Sequence, residues 1–103
     1  MESRRFETLK TFVEASPNDC FSRYGLAQEY VNQGHLENAV EEFNRILGID
    51  PDYQAAYYHV GQTYLKLGRT EEARQSFEKG VEVAARLGDL HARSELEAAL
   101  DGL

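Results

Sequence analysis

The chain has one cysteine (Cys20), two prolines and no tryptophan in 103 residues. A lone thiol cannot close an internal disulfide or supply the paired thiolates of a structural zinc site. Long apolar runs are also missing. A helix that crosses a bilayer needs about 20 apolar residues, and polar side chains interrupt every segment here. Arg4 and Arg5 precede no apolar run of the roughly 7–15 residues that a secretory leader requires. These absences predict a cytoplasmic protein with no membrane association. Cations are scarce, with 11 Lys and Arg against 18 Asp and Glu and a net charge of -7. Nucleic-acid affinity comes largely from a basic face that displaces counterions from phosphates. The acidic balance therefore predicts no nucleic-acid partner and favours basic or neutral ones.

Catalytic constellations are equally sparse. His35, His59 and His91 are never spaced as i, i+4, and none lies near Cys20 in sequence. No glycine-rich phosphate loop or nucleophile elbow occurs. Glu41-Glu42, Glu71-Glu72 and Asp50/Asp52 read as solvated faces and helix caps. Chemistry centred on Cys20 or His59 would need a partner brought close only by the fold. The expectation is a protein that is not an enzyme and needs no metal or cofactor.

What the chain does contain is a repeat. Residues 20–53 and 54–87 are two consecutive units of 34 residues. Superposed, they share Tyr24/Tyr58, Gln28/Gln62, Tyr30/Tyr64, Gly34/Gly68, Glu37/Glu71, Ala39/Ala73 and Phe43/Phe77. A period of this size marks stacked supersecondary units, each unable to bury its apolar face alone. With 42% hydrophobic and 28% charged residues, the whole chain reads as one folded domain, 1–103.

Periodicity of 3.6 residues recurs from end to end, and strand alternation is absent. Phe6, Leu9, Phe12 and Val13 share one side of a helix over about 4–15. Pro17 ends it, because the residue before a proline is pushed out of helical geometry. Asn18 or Asp19 can cap a second helix, about 19–33, which Gly34 stops. A third helix over 36–48 presents Ala39, Val40, Phe43, Ile46 and Leu47, with Gly48 and Asp50-Pro51-Asp52 at its close. The fourth, about 53–67, ends at Gly68. The fifth begins after Thr70, read as its cap, and extends to about Leu87. Asp89 then caps a sixth helix containing Leu90, Arg93, Leu96 and Leu100. The result is an all-α chain of about six helices joined antiparallel by short loops.

The order of residue types within each unit resembles the tetratricopeptide repeat (TPR) signature. The first unit reads Arg23, Leu26-Ala27, Tyr30, Gly34, Ala39, Phe43, Pro51; the second reads Tyr57, Val60-Gly61, Tyr64, Gly68, Ala73, Phe77, Ala85. Arg23 stands where a large aromatic is common, and Ala85 replaces the closing proline. The resemblance implies a right-handed superhelix of helix-turn-helix repeats, with an N-terminal helix over 4–17, repeats over 20–53 and 54–87, and a capping helix over 89–102. Ala27, Gly61, Ala39 and Ala73 read as points of close helix crossing, with Tyr30, Phe43, Tyr64 and Phe77 packed around them. Gly61 is the most telling, since glycine inside a helix costs about 1 kcal/mol relative to alanine.

The same resemblance implies function as a protein-interaction scaffold. In TPR proteins the first helix of each pair lines a concave groove for peptides. Here that face would comprise Phe21, Tyr24, Gln28 and Val31, then Tyr58, His59, Gln62 and Leu65, with Arg93 from the last helix. The partner expected is a protein or peptide. One branch of the family grips the C-terminal carboxylate of chaperone tails with Lys, Asn and Arg. The corresponding positions here hold Tyr24, Gln28, His59, Asp89 and Arg93, of which only Arg93 matches, so such tails are poor candidates. The alternative expectation is a homodimer or larger assembly formed through the terminal helices, dependent on Phe6, Leu9 or Leu96.

Overall fold

A computed structural model describes residues 3–103, and these form six α-helices. They are α1 (Arg4–Ala15), α2 (Cys20–Asn32), α3 (Leu36–Ile49), α4 (Gln54–Lys66), α5 (Thr70–Leu87) and α6 (Leu90–Asp101). Each packs chiefly on its neighbours in sequence, and α4 also touches α6. The architecture is an all-α helical repeat. No helix among the described residues is long and apolar enough to cross a membrane.

Local chemistry sets the ends of these helices. Ser3, Asp19 and Asp89 each accept a backbone N–H of the following first turn, from Phe6, Phe21 and Ala92 respectively. Gly34 and Gly68 adopt φ of +80° and +77° at equivalent places, where a β-carbon would be strained. Just beyond them, His35 N–H donates to the Tyr30 carbonyl and Arg69 N–H to the Tyr64 carbonyl, both at 2.8 Å, closing the same turn twice.

Two boundaries differ from the sequence expectation. Thr70 is the first residue of α5, not its cap; Arg69 holds the cap position without a side-chain bond. Gly48 does not stop α3, which runs to Ile49, because Asp50 takes the extended cap conformation and its N–H still reaches the Ile46 carbonyl.

The main core runs continuously from α2 to α6. Ala27, Ala39, Phe43, Ile46, Ala56, Ala73, Phe77 and Ala84 are fully buried within it. Gly61 faces the Phe77 ring, and Gly80 lies against Leu96 and Tyr57, so glycine or alanine sits at each close crossing. Helix α1 docks through a smaller, separate cluster of Phe6, Val13 and Leu26, with Leu9 and Tyr30 beside it. Phe6 and Tyr30 meet edge to face at 5.2 Å.

Candidate functional site

The helices that begin each hairpin, α2 and α4, stand beside α6 and enclose a groove of about 670 Å³. Its wall comes from the N-terminal halves of the three helices and from the α3–α4 loop. Phe21 and Tyr24 enter from α2, Asp50, Asp52 and Tyr53 from the loop, and Tyr58 and His59 from α4. Asp89, His91, Glu95 and Leu96 close the far side.

The floor is a connected set of rings. Tyr24 packs against Tyr53 at 5.8 Å and edge-on against His59 at 5.6 Å, and His59 meets Tyr58 at 5.2 Å. Beneath them, Phe43 of α3 lies nearly parallel to the His59 imidazole, 6.2 Å away with a 15° interplanar angle. The floor therefore rests on the fully buried Phe43 and is fixed by the core. Gln28 donates from its Nε2 to the Tyr24 hydroxyl at 3.2 Å, as the i, i+4 spacing anticipates.

Burial governs the titration of these groups. It pushes the His59 imidazole below its ordinary value of 6.5, with Glu95 opposing the shift weakly, so His59 is neutral at pH 7. Burial raises the Tyr53 phenol, and Tyr24, Cys20, Asp19 and Asp50 add to that rise. Tyr53 thus remains a neutral hydroxyl. The Cys20 thiol is raised by burial, then by Asp50 and Asp19. A raised thiol carries less thiolate, contrary to what nucleophilic chemistry requires. Among the described residues no group of three or more His, Cys, Asp or Glu is placed to hold a metal ion.

Of the residues singled out from sequence, Phe21, Tyr24, Tyr58 and His59 come together on this groove. Gln28 lines a second groove, between α1 and α2. Val31, Gln62 and Leu65 fall outside both linings, because they lie in the C-terminal halves of α2 and α4 while the groove occupies the N-terminal halves. Arg93 also lies outside both linings; it turns along α6 to pair with Glu97 at 3.4 Å. Asp89 already stood among the positions read as corresponding to the carboxylate grip, whereas the sequence did not single out Asp50, Asp52, Tyr53, Gln54, His91 and Glu95 for this groove. For the loop residues the sequence signal was the density of carboxylates between α3 and α4.

The second groove has a volume of about 610 Å³ and is lined by Leu9, Phe12, Phe21, Gly25 and neighbouring polar residues. Phe12 is 53% exposed and Phe21 79%. Phe6 and Leu96, expected to mediate self-association, are instead interior residues, 2% and 1% exposed. Their side chains are consumed by packing within the chain.

Glycine-ended hairpins of one length, nested through small residues, narrow the possible families sharply. The family profile described as tetratricopeptide repeat matches residues 24–89. This chain belongs to the tetratricopeptide repeat family. A TPR repeat-containing protein of Pseudomonas aeruginosa is 31% identical over 90 residues, spanning 87% of this chain and 86% of that one. The solution structure of a tetratricopeptide repeat domain protein from Salinibacter ruber is 39% identical, with a TM-score of 0.78 over 82% of this chain and 86% of its own. YrrB, described as a TPR protein with an unusual peptide-binding site, is 26% identical with a TM-score of 0.79. That match covers 91% of this chain and 46% of YrrB. The TPR assignment makes this chain a protein-interaction module in the general sense.

Proposed function

We propose that this TPR protein is a non-catalytic adaptor that holds a segment of another protein in the groove along α2, α4 and α6. The observation that carries the reading is the ring floor of Tyr53, Tyr24, His59 and Tyr58, held in place by Phe43 from below. Rigid aromatic surface loses little side-chain entropy on binding and gives broad apolar contact, and hydroxyls at its edge can pair with a peptide main chain. Phe21, 79% exposed at one end, adds a largely uncovered ring. The resemblance to YrrB supports a peptide or protein as the occupant. Affinity purification from the source cell with wild-type, Tyr58→Ala and Phe12→Ser proteins tests the reading. The expected result is a partner lost with Tyr58→Ala, retained with Phe12→Ser, and no change in far-ultraviolet dichroism. Retention by Tyr58→Ala would overturn it.

A second reading, self-association, is favoured by the α1–α2 groove and its exposed Phe12 and Phe21. Within the chain, α2 packs against α3 and α3 against α4, whereas α1 and α2 leave an apolar seam between them open. A helix from a second copy would cover Leu9, Phe12 and Phe21 there.

A further inference from the structure

The residues that line the aromatic groove are strongly unbalanced in charge. They include four carboxylates, Asp50, Asp52, Asp89 and Glu95, and neither Lys nor Arg. The α1–α2 groove, by contrast, carries one cation and one anion, Arg5 and Asp19. We infer that the aromatic groove selects a basic peptide segment, one whose Lys or Arg side chains lie over the tyrosine floor while its backbone follows the groove. This inference rests on the groove reading given above and specifies its occupant.

The carboxylates differ in how free they are to meet a cation. Asp52 is paired with Arg86 at the rim. Asp89 accepts the Ala92 N–H and faces the positive end of α6, which offsets part of its charge. Asp50 accepts the Asp52 N–H at 3.0 Å and has no cationic side chain against it. Glu95 meets only the His91 imidazole, at 3.2 Å, which neutralises it only if that ring is protonated. Asp50 and Glu95, on opposite walls, therefore contribute most of the unpaired field. The rings between them present faces with negative quadrupole, to which a guanidinium or ammonium is attracted. His59, the one titratable base in the floor, is kept neutral by burial and does not oppose an incoming cation. An acidic ligand would meet repulsion from both walls, and no Lys or Arg lines the groove to hold it.

The test is an array of random decapeptides probed with the protein. Three variants accompany the wild type: Asp50→Asn/Asp89→Asn/Glu95→Gln in the groove, Glu14→Gln/Glu41→Gln/Glu78→Gln away from it, and Tyr58→Ala. The two triple variants change net charge equally, and asparagine retains the capping bonds. Wild type and the remote triple should retain peptides roughly twofold richer in Lys and Arg than the array as a whole, and the groove triple should lose that enrichment. If the retained peptides depend on Tyr58 but are neutral or acidic, the basic preference is overturned and the groove reading stands. If the remote triple loses the enrichment as fully as the groove triple, the preference belongs to overall charge and the inference again fails. If no retained peptide depends on Tyr58, the groove reading falls with it.

Discussion

Arg23 and Tyr57, one repeat apart, donate the same hydrogen bond. Arg23 Nε reaches the Pro17 carbonyl and Tyr57 hydroxyl reaches the Pro51 carbonyl, each at 2.7 Å. The arginine replaces the aromatic residue of the repeat without losing the tie between helix and preceding turn. The replacement has a companion. Arg23 Nη1 also donates to Glu42 Oε1 at 2.6 Å, and both residues are 8% exposed. In the second repeat the position of Glu42 is occupied by Ser76.

That pairing predicts a non-additive exchange. Arg23→Ala should cost about 3 kcal/mol, because it leaves Glu42 buried with only Arg45, 3.7 Å away, to offset its charge. The double change Arg23→Tyr/Glu42→Ser installs the second repeat's own pair and should return stability to within about 1 kcal/mol of wild type. Urea unfolding of the single and double variants checks both values.

Two glycines inside helices should respond with opposite signs. A β-carbon at Gly61 would overlap the Phe77 ring, whose side chain is fully buried and cannot retreat. Gly61→Ala should therefore destabilise by about 2 kcal/mol despite alanine's better helix propensity. At Gly48 nothing lies within 4 Å and φ is not positive. Gly48→Ala should stabilise by about 0.5 kcal/mol. Thermal midpoints moving in the same direction for both would contradict this packing.

The neutral state of His59 predicts a pH dependence. Its pKa in the folded chain lies below the 6.5 of the unfolded chain, chiefly through burial. Between the two values the unfolded chain binds a proton that the folded chain refuses. Stability is thus fully present above about pH 6.5 and declines as pH falls toward the folded pKa. The loss in urea midpoint between pH 7.5 and pH 5.5 should be smaller in His59→Gln than in wild type. Equal losses would place the dependence elsewhere.

The exposed phenylalanines of the α1–α2 groove predict the outcome of size-exclusion chromatography with light scattering. If the second reading holds, wild type should show a concentration-dependent dimer that Phe12→Ser/Phe21→Ser abolishes. Neither change should cost more than about 1 kcal/mol in stability, since both side chains are more than half exposed. A monomer at all concentrations removes the self-association reading.

Several features were legible in the amino-acid order alone. Apolar spacing, the glycines at 34 and 68, and the capping aspartates at 19 and 89 specify the helices, because those effects act within one or two turns of chain. The 34-residue period specifies that hairpins stack, and Gly61 announces a close crossing, since nothing local rewards a glycine there. Which parts of the helices enclose the groove was decided by tertiary structure. The extended α5 places α6 so that Asp89, His91 and Glu95 face the α3–α4 loop, a relationship between residues about forty positions apart with no local signature. Only the fold could move Phe6 and Leu96 inside while leaving Phe12 and Phe21 in water. All four are apolar residues on helices with an apolar side. Burial depends on which neighbour each side meets, and a helix's own periodicity does not contain that information.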